Sequence, residues 1–448
     1  MQFELTTHNS QLSTLNSQLK MLDRKYILEN VAAVKENCLR RGAAADIDQL
    51  VDFEMQRRAK LQEAQELNRQ ANETSKSIGK AASAEERDRL KEQGRLLREQ
   101  KDDAQAKHDE LDSLIHAIEV RIPNLTHPAA PIGSDDQANL EIARGKTPIP
   151  KFDFKAKDHV ELGKSLDLID FEAGARVSGA GFYFLKNEAV LLELALQQFA
   201  VQTLIPRGFI PVTTPDVAST SILQGIGFIP RGPETQIYSI ENTELNLVAT
   251  AEITLGGMYA DQTFEAEQLP LKLVGISHCF RTEAGAAGRA SKGLYRVHQF
   301  TKIEMFAFTL PEQSSDIHEE LRQIECDLFD AMEIPYRVVD TATGDLGGPA
   351  YRKYDLEAWM PGRGTDGEWG EVTSTSNCTD YQARRLNIRY RNKNEKGTHL
   401  THTLNGTAIA ISRAIIAILE NHQQADGSIR IPKALQPYVG KEVIPARI

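Results

Sequence analysis

The sequence predicts an α+β protein in which a long antiparallel helical hairpin precedes a domain of mixed helices and strands. Three observations predict it. Residues 48–119 contain no proline and are rich in Gln, Glu, Lys, Arg, Ala and Leu, the composition of a long exposed helix or coiled coil. Apolar residues recur there at seven-residue spacing. After Lys151 the texture changes to helical patterns alternating with short apolar, strand-like runs.

The N-terminal twenty residues are polar, contain no Arg and repeat Asn-Ser-Gln-Leu at Asn9 and Asn16. They lack the apolar core of a signal peptide and the basic amphipathicity of a transit peptide, so residues 1–20 are expected as a disordered extension. Met21 is followed at once by patterned sequence (Leu22, Ile27, Leu28, Val31, Val34), and translation is expected to begin there.

In the arm, Leu90, Leu97, Ala104, Leu111 and Ile118 fall seven apart, with Gly94, Lys101, His108 and Ile115 at the intervening heptad position. The first half keeps the three-four spacing less strictly, through Leu50, Phe53, Ala64, Leu67, Ala71, Thr74 and Ile78. Between them, Gly79 offers a helix stop and Ser83 an N-cap, so the two helices should fold back antiparallel. At a rise of 1.5 Å per residue, an arm of roughly 30 residues extends on the order of 45 Å. Its basic residues are nearly balanced by acids, and on this evidence a coiled coil for dimerisation or spacing is commoner than one for RNA.

The segment 122–150, with Ile-Pro-Asn-Leu-Thr-His-Pro and Thr-Pro-Ile-Pro, reads as a linker. Beyond it, helices are predicted over Glu188–Leu204, Ser314–Met332 and Ala408–His422, and strands over Leu271–Ile276, Val297–Phe308 and Tyr336–Val339. The longest apolar run is expected at Ala408–Leu419, broken by Ser412 and Arg413 and short of the roughly 18 residues of a membrane span. Cys38, Cys279, Cys326 and Cys378 show no metal-binding spacing, and no zinc is expected. The net charge of -11 means that any nucleic acid must meet local basic patches.

Chemistry concentrates in a few blocks. Phe280-Arg-Thr-Glu-Ala-Gly285 follows a strand-like run and precedes a small-residue loop with a second strand expected from Tyr295 to Phe308. Period-two alternation puts Arg281 and Glu283 on one side, while Arg289, Lys292 and Arg296 bring cations in or beside the loop, a combination suited to a polyphosphate. Arg413 interrupts an apolar run, where an unpaired charge costs several kcal/mol, so it needs an anionic partner. Gly362-Arg-Gly-Thr-Asp-Gly367 satisfies a GxGxxG pattern, but no helix-forming sequence follows and a surface turn is expected. His278 and His298 are expected to be structural.

These blocks resemble the class II aminoacyl-tRNA synthetases. The Phe280–Gly285 wording, with His298-Gln-Phe-Thr-Lys-Ile-Glu304, resembles motif 2 in its seryl branch. Thr403-Leu-Asn-Gly-Thr-Ala-Ile-Ala-Ile-Ser-Arg413 and the helix after it resemble motif 3, and Glu188–Leu204 with the segment to Pro215 resembles motif 1. Thr250-Ala-Glu252 and the block from Glu371 through Asn377 resemble the branch's serine-binding and Glu-Ile-Ser-Ser-Cys-Ser-Asn-Cys elements, with Val372, Thr373 and Thr375 departing from the commoner Ile, Ser and Cys. Gly225–Pro233 departs from the usual Gly-Gln-Leu-Pro wording. The blocks occur in the family's order over most of the chain after Met21.

The resemblance implies a central antiparallel β-sheet flanked by helices, with residues 21–121 forming an RNA-binding helical domain and 151–448 the catalytic domain. It implies a cytoplasmic homodimer acting on ATP, L-serine and tRNA(Ser), with tRNA(Sec) as a second candidate, and without membrane or DNA partners. By resemblance, Arg281 bridges the α-phosphate and the serine carboxylate, Arg413 holds the γ-phosphate, and Glu371 with Ser374 coordinates Mg²⁺. Thr282, Arg296, Val372 and Thr373 join the nucleotide site, Glu283 and the backbone near Val297 hold adenine, and Phe300 stacks on it. Thr250, Ala251 and Glu252 belong to the amino-acid pocket, with Thr250 and Glu252 at the ammonium group and Glu304, Asn405 and Thr407 at the hydroxyl.

Overall fold

In a computed structural model, residues 22–228, 236–283 and 293–447 are described. The segments expected as the N-terminal extension, together with Arg289 and Lys292, lie outside them. The chain divides into two compact units, one ending at Pro123 and one beginning at Asn124.

The N-terminal unit is dominated by α1 (Ile47–Ile78) and α2 (Ala84–Glu119). Ser83 caps α2 by accepting from the Glu86 amide at 3.1 Å, and Glu86 reaches back to the Ala82 amide at 2.9 Å. Gly79 ends α1 in right-handed backbone (φ -70°), so the expected glycine stop works there without left-handed geometry. Both predicted seams face inward: Gly94, Leu97, Ala104, Ile115 and Ile118 are buried, as are Leu50, Ala64, Ala71 and Thr74. Where the α1 seam lapses after Phe53, a polar cluster fills the gap. Glu54 is 2% exposed and accepts from Arg57 and Arg58 at 2.7 Å, and Arg24 bridges Asp112 and Glu119 at 2.8 and 2.7 Å. Buried charge is tolerated because each partner is satisfied.

The second unit is built on an eight-stranded sheet. Its strands are β1 (Leu140–Arg144), β2 (Phe209–Thr213), β3 (Leu271–Phe280), β4 (Gln299–Thr309), β5 (Tyr336–Asp340), β6 (Arg352–Met360), β7 (Glu368–Asn377) and β8 (His402–Ala410). Their spatial order is β1-β5-β6-β7-β8-β4-β3-β2, antiparallel throughout except for the parallel β2–β3 pair at one edge. β1 falls inside the segment expected as a linker. The same segment is pinned at its start, where the Asn124 side-chain amide donates to the Pro349 and Cys378 carbonyls, each at 2.8 Å. Proline-rich composition thus marked a domain edge but concealed an edge strand, since a short strand pairing on one side has little apolar signature.

The helices α3 (Glu188–Leu204), α4 (Ala251–Gly257), α5 (Ser314–Ala331) and α6 (Ile411–Asn421) cover this sheet. The last starts three residues later than its pattern suggested, because Ala408–Ala410 complete β8. Likewise β4 starts at Gln299, since Gly293–Tyr295 form a 3-10 turn. Leu196, Phe199, Ile324, Phe329, Ile415 and Ile418 of α3, α5 and α6 share one core with Ile303, Met305 and Ala307 of β4. The alternate residues Phe306 and Phe308 pack into a second core with Ile253 and Leu255 of α4. β4 is therefore buried on both faces, which explains its unbroken apolar stretch from Met305 to Phe308.

Among the described residues one helical stretch, Glu188–Arg207, is long and apolar enough by length and composition to cross a membrane, a stretch the apolar-run reading did not single out. Here α3 seats Leu192, Leu196, Phe199 and Leu204 in the core, while Val190, Leu191 and Leu194 remain exposed.

Candidate functional site

Register brings the site together. Thr407 on β8 lies opposite Glu304 on β4, and Asn405 on β8 opposite Ser376 on β7. Residues opposite one another in an antiparallel pair share a face. The Thr407 hydroxyl accordingly donates to Glu304 Oε2 at 3.2 Å, and Lys302, two residues before Glu304, places Nζ 2.6 Å from the same oxygen. Glu304 is 2% exposed and Lys302 6%, so this is a pair held in the interior.

Two bulges extend that face. Leu356 pairs with Thr373 and Glu357 with Glu371, so Val372 is an extra residue in β7. Ala408 is extra in β8, between Thr407 opposite Glu304 and Ile409 opposite Ile303. A bulge shifts the alternation by one residue. Glu371 therefore joins Ser374 and Ser376 on one face although an odd number of positions separates them, and Ala410 joins Thr407.

Two cavities open on this face. The first is lined by Arg281, Glu283, Tyr295, Arg296, Val297, Phe300, Glu371, Val372, Thr373, Ser374, Thr407 and Arg413 among others. The second, of about 480 Å³, is lined by Thr250, Glu252, Arg281, Lys302, Glu304, Lys353, Ser374, Asn405 and Thr407 among others. Nearly every residue expected in the nucleotide site borders the first cavity, and nearly every residue of the amino-acid pocket the second. Arg281, Lys302, Ser374 and Thr407 border both. Thr282 and Ala251 line neither. Ala251 is buried under the start of α4, and the Thr282 amide donates to the Gln236 carbonyl at 3.4 Å.

Arg281 follows β3 directly. Its Nε donates to the Ala249 carbonyl at 3.3 Å, and its guanidinium carbon lies 5.3 Å from the centroid of the Phe300 ring. His298 Nδ1 donates to the Arg281 carbonyl at 2.9 Å, a structural role as expected, and exposed His278 faces Asp216 at 2.9 Å. Glu283 has φ 51°, so the extended alternation stops before it, yet it still borders the first cavity and pairs with Arg296 at 3.1 Å.

The anionic partner that Arg413 requires is Glu371. Arg413 Nη1 lies 3.1 Å from its Oε1 and donates to its backbone carbonyl at 2.9 Å. Burial works against the charge on Glu371, but Arg413, Lys353 and Arg281 outweigh it and hold the carboxyl below the ordinary range. Tyr295, which the sequence reading passed over, donates its hydroxyl to the Glu371 carbonyl at 3.3 Å, with the Arg413 and Arg363 guanidiniums 4.8 and 4.5 Å from its ring centroid.

In the second cavity, Thr250 caps α4 by accepting from the Glu252 amide at 3.3 Å. Glu252 Oε1 accepts from Gln382 Nε2 at 2.6 Å and from Asn405 Nδ2 at 2.8 Å. Burial first, and then the neighbouring Glu304, push this carboxyl up to about 7. Lys353 and Asp355 of β6, 3.0 Å apart, were also missed. Their period-two spacing was visible, but only the pairing of Asp355 with Ser374 and of Lys353 with Ser376 shows that they face the site.

Residues 21–126 match the Seryl-tRNA synthetase N-terminal domain, and residues 236–422 match the tRNA synthetase class II core domain (G, H, P, S and T). The chain is 65% identical to a serine–tRNA ligase of Rhodopirellula baltica, over 95% of this chain and 99% of that one. It is 58% identical to a serine–tRNA ligase of Treponema denticola, over 94% and 99% respectively. Among solved structures, the seryl-tRNA synthetase of Pyrococcus horikoshii complexed with ATP superposes with a TM-score of 0.87 at 40% identity, covering 96% of this chain and all of that one. Sequence blocks, sheet and relatives agree, and the chain belongs to the seryl-tRNA synthetase family of the class II aminoacyl-tRNA synthetases.

Proposed function

We propose that this enzyme activates L-serine with ATP, releasing pyrophosphate, and then transfers the seryl group to the 3′ end of tRNA(Ser). The observation that carries this reading is Arg281, which borders both cavities at once. Activation joins two anions: a serine carboxylate oxygen bonds to the α-phosphorus while the bond from that phosphorus to the bridging oxygen of pyrophosphate breaks. No general base is needed, because a carboxylate is already ionised at neutral pH. What the protein supplies is position and compensating charge.

Arg281 would contact the carboxylate and α-phosphate together, and Arg413 the γ-phosphate. Phe300, Glu283 and the backbone at Val297 would receive adenine, with Arg296 beside Glu283. In the second cavity, Glu252 and Thr250 would take the ammonium group, and Glu304 with Thr407 and Asn405 the hydroxyl. A pocket built to pair that hydroxyl rejects alanine, which would leave Glu304 unmatched.

The donors fit Mg²⁺. Glu371 carries an ionised carboxylate beside the Ser374 hydroxyl, and Mg²⁺ is usually held by one or two carboxylates together with substrate phosphates. Such an ion would neutralise phosphate charge.

The hairpin of α1 and α2 would grip the RNA, largely through backbone and shape. A homodimer would form through α3, where Val190, Leu191 and Leu194 are exposed. The same RNA-binding mode leaves room for tRNA(Sec), and the cytoplasm is where these substrates meet. ATP–pyrophosphate exchange measured across the amino acids tests the reading: serine alone should support exchange. Exchange with another amino acid, or none, overturns it.

A further inference from the structure

Glu252 is oriented from behind by a side chain that does not border the cavity. Gln382 lies in the short helix Tyr381–Arg385 and is 0% exposed. Its Nε2 donates to the Ile226 carbonyl at 3.1 Å and to Glu252 Oε1 at 2.6 Å, while its Oε1 accepts from the Thr403 hydroxyl at 2.7 Å. A backbone carbonyl can only accept, so Ile226 settles which end of the amide is nitrogen. Gln382 must therefore donate to Glu252, and a donated hydrogen bond favours the ionised carboxylate. Asn405 meets the same oxygen, which among the described residues leaves Oε2 for another donor.

We propose that Gln382 is a positioning residue for serine recognition: it holds Glu252 in one orientation and in its charged form, so that the carboxylate receives the substrate ammonium group. This rests on the reading of Glu252 as the amine-binding residue. The groups bearing on Glu252 are Glu304 and Lys302 from β4 and Arg281 after β3, with Lys353 from β6 and Cys378 after β7 lining the same cavity. Burial and Glu304 oppose the charge, whereas Gln382, Lys302 and Arg281 support it. Removing the Gln382 donor tips that balance toward the protonated form, which cannot pair with an ammonium group.

The test is Gln382→Met in the full chain, assayed by ATP–pyrophosphate exchange from pH 6 to 9. The KM for serine should rise about tenfold or more at neutral pH, the size of a lost charge-assisted hydrogen bond. The KM for ATP should change less than about twofold, and the acidic limb of kcat/KM for serine should move to higher pH. Thr403→Val, which loosens only the far end of the glutamine, should shift both readouts in the same direction by less and keeps the test decisive if Gln382→Met folds poorly. Equal effects on both substrates with an unmoved acidic limb would mean that Gln382 merely packs, and would overturn the inference. Glu252→Gln separates the two levels: if it leaves the serine KM unchanged, the reading of Glu252 is wrong, whereas if only the Gln382 and Thr403 variants behave as the parent, this inference alone fails.

Discussion

Arg413 Nη1 lies 3.1 Å from Glu371 Oε1, an ion pair joining the first turn of α6 to the bulged segment of β7. Arg413 borders only the first cavity, whereas Arg281 borders both. The two arginines should therefore fail differently. Arg413→Ala should raise the KM for ATP about tenfold or more with little change for serine. Arg281→Ala should lower kcat about a hundredfold or more, and Arg281→Lys should not restore it, since an ammonium group cannot span two anions as a planar fork does. Steady-state pyrophosphate exchange with each substrate varied checks this; matched defects in both variants would contradict the division.

Glu304→Ala should abolish serine-dependent exchange. It also leaves Lys302 buried without its 2.6 Å partner, at a cost of about 3 kcal/mol in stability. Glu304→Gln keeps the shape and should still lose about a hundredfold in serine kcat/KM. Near-normal exchange by a folded Glu304→Gln protein would remove Glu304 from the pocket.

Glu252 gives a pH signature in stability. Burial and Glu304 raise it from 4.5 to about 7, so between those values the folded chain binds more protons than the unfolded one. Stability from this group is present at low pH and is lost as pH rises toward 7. Glu252→Gln removes the loss, so it should become more stable relative to the parent from pH 5 to 8, by roughly 2 kcal/mol at the plateau. Paired urea melts at each pH measure the difference, and a gap that does not grow with pH would count against the raised value.

Deleting residues 52–110 and rejoining the arm should spare adenylate formation and reduce aminoacylation of tRNA(Ser) by orders of magnitude, if the hairpin serves RNA only. Loss of both activities in parallel would refute that separation.

Gly94 sits in the interior of α2, and a β-carbon there would meet only Thr74 Cγ2, at 3.8 Å. That is ordinary contact, so Gly94→Ala should stabilise the hairpin by about 0.5–1 kcal/mol through helix propensity. A lower melting temperature would show that the seam has no room.

Much of this protein is legible without coordinates. The heptad seam around Leu97 and Ala104 and the cap at Ser83 are local signals, and they specify the hairpin. The blocks around Arg281, Glu371 and Arg413 carry residues whose types and order announce chemistry. The edge strand Leu140–Arg144, by contrast, is hidden in proline-rich sequence, because pairing on one side leaves no distinct pattern.

By itself, then, the sequence determined the helical arm and the mixed second domain, and it named most of the residues that border the two cavities. Only the tertiary structure decided how those residues meet. The bulges at Val372 and Ala408 turn Glu371 and Ala410 onto the face of Ser374 and Thr407, and strand register sets Thr407 beside Glu304. Gln382 reaches Glu252 from behind the second cavity, and Lys353 is brought to its border, through pairings between residues distant in the chain. Periodicity reports which side of its own strand a residue occupies, but which strand lies alongside, and in what register, is set by long-range packing.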